Sequence, residues 1–150
     1  PFPVLALTNS LPLQRKAAEI WVHDKCPASL ALAKFPRREK TGKIRIGYFS
    51  ADFRNHPVAF QAAGLFETHD RSRFELTAFS FGPNMQDEMT KRMETAFDQF
   101  MDVRAHSDKE VALLSRNLEI DIAVDLGGFT QDSRTTIFAL RAAPLYLCSS

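Results

Sequence analysis

Scarcity sets the first limits. Of 150 residues only two are cysteine, Cys26 and Cys148, far apart and with neither a CxxC spacing nor a nearby histidine pair. That pattern excludes a local zinc knuckle and a disulfide-dense scaffold, and two reduced structural thiols are expected. Charge of one sign is lacking as well: nineteen Lys and Arg face eighteen Asp and Glu, a formal charge of +1. No global field selects nucleic acid, an anionic membrane or a cationic partner. No apolar run reaches the ~20 residues that span a bilayer. Neither nucleic acid nor a membrane is therefore an expected partner. The glycines form no G-x-G-x-x-G and no P-loop with its lysine, so nothing marks this chain as the holder of a nucleotide. The first residue is Pro1, with no basic n-region or long apolar stretch behind it. The expectation is an internal piece of a longer cytoplasmic protein, without a secretion signal.

What is present fits one globular domain: 45% hydrophobic and 25% charged residues. Three sections can be read. Residues 1–33 form a helical segment, in which Ser10 is placed to cap a helix with Pro12 in its first turn and Leu13, Ala17, Ile20 and Trp21 along one side. That stripe needs a partner, either the following domain or an upstream helical repeat array. Residues 34–43 are a charged, solvated linker. From 44 to 150 strands and helices alternate. Lys43 to Ser50 reads as a strand, Pro57 to Thr68 as a helix, Phe74 to Phe81 as a strand apolar on both faces, and Met85 to Ala96 as a helix with Met89 and Met93 in the core. Gln99 to Val103 is a short strand. Ser107 and Glu110 form a capping box that opens another helix. Ile120 to Asp125, a short helix at Thr136 to Leu140 and a strand at Leu145 to Cys148 complete the series. The fold class is α/β: a Rossmann-like parallel sheet with helices on both faces.

In such sheets ligands bind beyond the carboxyl ends of the strands, which points to two loops. One is ADFRNHP, Ala51 to Pro57. His56 precedes a proline at the expected helix start, where the partial positive charge of the helix terminus favours neutral imidazole. A neutral ring can accept a proton or donate a hydrogen bond, which suits orienting or deprotonating a hydroxyl acceptor. The plain alternative is a surface histidine that only caps the helix. The other loop is Asp125 to Thr130, where Gly127 and Gly128 let the backbone approach another group and their N–H groups can face an anionic or hydroxyl-rich ligand. A tight turn without a ligand reads equally well. Asp52 and Asp125 also suit a phosphoacceptor site, although the last strand lacks the accompanying lysine, or a carboxylate pair for glycoside hydrolysis. His23, His69 and His106 have no partners at metal-ligand spacing and read as surface residues; no metal site is expected.

The same segments resemble the catalytic region of the O-linked N-acetylglucosamine transferase and SPINDLY family. The resemblance covers roughly Lys43 to Pro144 and rests on IRIGYFSADFRNHPV (Ile44 to Val58), RFELTAFSFGP (Arg73 to Pro83), IDIAVDLGGFT (Ile120 to Thr130) and the stretch from Arg134 through Phe138 to Pro144. The opening PFPVLALTNS resembles the join that follows the tetratricopeptide repeats of bacterial members.

Such membership implies the amino-terminal half of a two-domain, GT-B-type fold with the active site in the cleft between the halves. It implies metal-independent, inverting transfer of a sugar from a nucleotide donor to Ser and Thr hydroxyls of proteins; the family includes both N-acetylglucosaminyl and fucosyl transfer, and N-acetylglucosamine from UDP-GlcNAc is the expected pair. No other cofactor is implied. The donor is held mainly by the second half, so this piece alone is expected to be inactive. The family's histidine falls on His56. With His56 in that role, the candidate substrate-binding residues are Asp52, Asn55, Pro57, Gly127, Gly128, Phe129, Thr130 and Arg134: Gly127 to Thr130 would shape the sugar and acceptor side of the cleft, Asp52 and Asn55 would support the first loop, and Arg134 would hold the second. Expected partners are a protein acceptor, upstream tetratricopeptide repeats and a downstream donor-binding domain. The chain departs from the family where Phe129 and Arg116 stand at positions that can hold His, and where Arg-Pro-Ala-Pro reads Arg141, Ala142, Ala143, Pro144. The missing imidazole supports an alternative reading, a non-catalytic interaction module derived from that family.

Overall fold

The computed structural model describes residues 2–26, 31–35, 42–130 and 132–148. Two helices, α1 (Phe2–Leu7) and α2 (Leu11–Lys25), precede the alternating region. There follow β1 (Ile44–Ser50), α3 (Pro57–Thr68), β2 (Phe74–Ser80), α4 (Glu88–Ala96), β3 (Gln99–Asp102), α5 (Asp108–Asn117), β4 (Ile122–Asp125), α6 (Thr136–Ala139) and β5 (Leu145–Cys148). All five strands pair in parallel in the order β3-β2-β1-β4-β5. The chain winds outward from β1 to β3, then returns to the other side of β1 for β4. The strand order reverses between β1 and β4, and in open α/β sheets ligands bind at the carboxyl ends of the strands beside such a reversal.

The alternation of side chains along β1 builds a core on each face. Ile46 and Tyr48 join Leu76 and Ala78 of β2 beneath α3 and α4, with Ala63, Phe66, Met93 and Phe97. Phe49 faces the other way, with Phe79, Val103, Val111, Ala123 and Ile137 beneath α5 and α6. Full burial of such side chains contributes roughly 1.5–3 kcal/mol each, so the sheet is held from both sides. Phe49 and Phe79 stack at 4.3 Å with planes 2° apart, and Gly47 leaves the room: a Cβ there would meet Phe79 at 3.0 Å and Ile120 at 3.1 Å.

The helix starts follow their capping chemistry. Ser107 and Glu110 form the expected capping box on α5. The fourth helix starts at Glu88 and not at Met85, because Asp87 caps it by accepting the Thr90 N–H at 2.8 Å. Ser10 occupies the cap position of α2 but makes no side-chain capping bond. Of the expected stripe, Leu13 and Ile20 are 56% and 61% exposed, whereas Ala17 and Trp21 are half-buried and Trp21 meets Phe129, so α2 covers only part of that face in this chain. Strand β5 forms the sheet edge with Leu145, Tyr146 and Leu147 exposed. Both cysteines are free thiols, Cys26 buried and Cys148 exposed. Among the described residues no helix is long and apolar enough to cross a membrane. Linker residues 36–41 lie outside the described residues. Phe35, at the linker's start, lies under the Arg116 guanidinium, 3.9 Å from the ring centre, so this end of the linker is packed.

Candidate active site

The loop after β1 is fixed at several points before any ligand enters. Asp52 N–H donates to the Ser50 hydroxyl at 2.9 Å, and the Phe53 ring is buried among Phe66, Phe97 and Phe100. Between these anchors the Asp52 carboxylate accepts from Arg54 at 3.2 Å through one oxygen and lies 3.6 Å from His56 Nδ1 through the other. The Asn55 N–H donates to Asp87 at 2.8 Å. Asp87 thus ties the loop to the start of α4, and the backbone N–H groups of Asn55 and Thr90 hold its carboxyl below the usual carboxylate range. Gly82 packs the end of β2 directly on Ala51, leaving no space for a Cβ.

His56 is the N-cap of α3, with extended backbone, and Pro57 opens the helix. Because Pro57 has no N–H, the first free donor of the helix is Val58, which donates to His56 Nδ1 at 3.3 Å. The side chain is 35% exposed, so the ring is anchored on one edge and accessible on the other.

The second loop is organised from within. Asp125, buried at the end of β4, accepts from the N–H groups of Gly127 at 2.9 Å and Gly128 at 3.0 Å with one oxygen. These N–H groups therefore face a carboxylate of the chain itself, as in the ligand-free tight turn, the second of the two readings that the paired glycines allow. Gly128 has φ +55°, the left-handed conformation that favours glycine. Burial raises the Asp125 pKa despite the two bonds. Thr130 closes the turn, donating through its hydroxyl and its N–H to the Gly127 carbonyl at 2.8 and 3.1 Å. Phe129 leaves the turn to meet Trp21 of α2.

Arg134 faces the other core. It donates to Asp108 at 2.7 Å and to the carbonyls of Val103 and His106, with its guanidinium 5.5 Å from the Phe81 ring centre. It fastens the segment after the second loop to the start of α5. Arg116 holds the carbonyls of Arg141, whose φ is +60°, and Ala33. Asp52, Asn55, His56 and Pro57 thus lie in the loop after β1, Gly127 to Thr130 in the turn after the neighbouring β4, and Arg134 in the segment that follows that turn. Sequence reasoning missed Asp87, Gly82 and Arg54. A cap residue three positions before Thr90 was the available signal for Asp87.

Asp52 and Asp125 follow adjacent strands but are engaged separately, Asp52 with Arg54 and Asp125 with its own turn. His69 is not a free surface residue: its Nε2 lies 3.0 Å from the Tyr48 hydroxyl, and burial, aided by Arg71, lowers its pKa. A groove of about 370 Å³ lined by Glu67, Arg71, Arg92, Thr95 and Ala96 lies at the far ends of α3 and α4. Its arginines are paired, Arg92 with Glu67 and Arg71 with Asp98. Among the described residues no group of three or more His, Cys, Asp or Glu could hold a metal ion.

Comparison with known proteins places this geometry. Residues 21–148 match the model of glycosyl transferase family 41. The chain is 30% identical over 145 residues to a probable UDP-N-acetylglucosamine–peptide N-acetylglucosaminyltransferase, SEC, of Arabidopsis thaliana, a match spanning 95% of this chain and 15% of the relative. It is 31% identical over 104 residues to the UDP-N-acetylglucosamine–peptide N-acetylglucosaminyltransferase of Caenorhabditis elegans, covering 69% and 9% respectively. Among solved structures, a mutant O-GlcNAc transferase of Thermobaculum terrenum superposes with TM-score 0.76 at 30% identity, over 84% of this chain and 24% of that one. The chain thus spans less than a quarter of each of these proteins.

Proposed function

Because the chain belongs to glycosyl transferase family 41, we propose that it is the amino-terminal half of the catalytic region of an inverting protein O-glycosyltransferase. The sugar in this reading is N-acetylglucosamine, carried by UDP and passed to peptide as in the names of the relatives; the acceptor groups are Ser and Thr hydroxyls, and the protein works in the cytoplasm. The carrying observation is the reversal of strand order between β1 and β4, whose carboxyl ends lead into the His56 loop and the Gly127 to Thr130 loop.

In this reading His56 meets the reacting oxygens, while Asp52, Asn55 and Pro57 set its loop. Gly127 to Thr130 shape the acceptor side, and Arg134 acts from behind by fixing where that loop ends. The nucleotide rests mainly on a donor-binding half outside this chain, so this chain alone does not turn over. Residues 1–33 join it to upstream tetratricopeptide repeats, residues 34–43 are the connector, and 44–150 form the catalytic half. The exposed Leu13 and Ile20 of α2 support that junction, because they leave part of its apolar face open to a neighbour.

The test is transfer of labelled N-acetylglucosamine from UDP-GlcNAc to Ser/Thr peptides by the full-length protein. His56→Ala is expected to lower the rate at least tenfold, and a rate within twofold of the parent would exclude the role. The contact of Phe129 with Trp21 favours a second reading, a non-catalytic interaction module, since it turns a cleft side chain towards the amino-terminal helix. Absence of transfer by the full-length protein, with retained peptide binding, would select it.

A further inference from the structure

The cap on α3 decides which nitrogen of His56 carries hydrogen. Val58 N–H points at Nδ1, 3.3 Å away. A ring nitrogen that accepts this bond keeps its lone pair and is bare. Asp52 offers the competing arrangement, in which Nδ1 would be protonated and donate to the carboxylate. Its nearer oxygen is 3.6 Å from Nδ1, however, beyond hydrogen-bond range, and its other oxygen is taken by Arg54. A proton on Nδ1 would also oppose the Val58 hydrogen and leave the first donor of the helix unsatisfied. In a neutral imidazole a bare Nδ1 means a protonated Nε2. Among the described residues nothing accepts that hydrogen, and the side chain is 35% exposed, in the loop at the carboxyl end of β1.

We infer that His56 acts in sugar transfer as a hydrogen-bond donor through Nε2–H, with its orientation and tautomer set by the helix cap. This rests on the glycosyltransferase reading. A nitrogen that already holds its hydrogen does not take the acceptor's proton, so His56 orients and polarises and does not deprotonate. Its target is an oxygen lone pair of the bound substrates, either the acceptor hydroxyl or an oxygen of the donor diphosphate. Pro57 belongs to the device: by withdrawing one N–H from the helix start it leaves Val58 as the group that reads Nδ1.

Two experiments test this. Long-range proton–nitrogen correlation spectra of the nitrogen-labelled protein at neutral pH should show His56 with bare Nδ1 and protonated Nε2; the opposite tautomer overturns the inference whatever the activity. In the full-length protein, with UDP-GlcNAc and a Ser/Thr peptide, two substitutions divide the ring's duties. His56→Asn keeps an oxygen where Nδ1 caps the helix but lacks the reach of Nε2. His56→Gln extends an amide N–H towards the Nε2 position and is no base near neutral pH. We expect His56→Gln to stay within about tenfold of the parent and His56→Asn to fall about 10²–10³-fold, as for loss of one preorganised donor. A joint fall of both, by the 10²–10⁴-fold typical of a lost general base, overturns the donor role, and so does full activity of His56→Asn. A rise confined to the peptide KM in His56→Asn identifies the acceptor hydroxyl as the partner, and a rise confined to the UDP-GlcNAc KM identifies the diphosphate. A parent protein that transfers no sugar sinks the glycosyltransferase reading, even where the spectra show protonated Nε2.

Discussion

The indole of Trp21 meets the ring of Phe129 edge-on, with centroids 5.4 Å apart and planes at 78°. Helix α2 has no fully buried residue, and its C-cap residue Cys26 also reaches this region, its thiol 3.7 Å from the Thr136 hydroxyl. One aromatic pair therefore carries much of the link between the amino-terminal helix and the second loop. Edge-to-face pairs contribute about 0.5–1.5 kcal/mol beyond area burial. Trp21→Ala should lower unfolding stability by about 1 kcal/mol and speed amide exchange at Gly128 and Thr130. Unchanged exchange there would mean that the turn is held from within, by Asp125 and Thr130, without help from the aromatic pair.

Asp87 bonds Asn55 and Thr90 through different oxygens, at 2.8 Å each. Asp87→Ala should lower the melting temperature and impair His56 function together, while Asp87→Asn, which can still cap α4, should retain more of both. The depressed folded-state pKa means that the bonds' contribution is present above the ordinary aspartate pKa and is lost as pH falls through the folded one. A parent melting curve that tracks the Asp87→Ala curve at every pH would refute the link.

A methyl at residue 82 has nowhere to go, because it would overlap the Ala51 carbonyl. Gly82→Ala should cost about 1–3 kcal/mol as an overpacking change, read by chemical denaturation. Its secondary effect should fall on the His56 loop, visible as shifted resonances at Asp52 to His56 and not at Gly127 to Thr130. Shifts of equal size in both loops would show that the strain is not local.

The Asp125 carboxyl is predicted to make stability fall with rising pH. Its folded pKa lies above its unfolded value because burial outweighs the bonds from Gly127 and Gly128. Its favourable contribution is therefore complete below the unfolded pKa and lost as pH rises through the folded one. Asp125→Asn keeps an oxygen for both amides and cannot ionise. Compared across pH 3 to 7, its unfolding midpoint should gain on that of the parent as pH rises; a constant difference would contradict the assignment.

The alternating sheet was legible because each strand carries an apolar pattern and each loop a capping or glycine signal, as in Phe74 to Ser80 and in the Ser107 capping box. Membership of the family followed from the order of those segments. Contacts distant in sequence were not legible. Asp87 gives no sign of serving Asn55, thirty-two residues earlier, and Arg116 gives none of reaching Ala33 and Phe35. His69 looked superficial because periodicity cannot show that Tyr48 needs a partner for its buried hydroxyl. The paired glycines allowed an open anion cradle as well as a closed turn, and the residue that ends the preceding strand already fills it.

The shared use of Asp87 has an evolutionary consequence. In a mutational scan of the parent protein scored by activity, positions 82 and 87 should rank with the cleft residues although neither needs to touch a sugar or a peptide. Substitutions in the first turn of α4 should show epistasis with those in ADFRNHP, because one carboxylate serves both segments. The heritable unit of this half-site is then a loop together with a neighbouring helix start, and the two should be inherited as a pair.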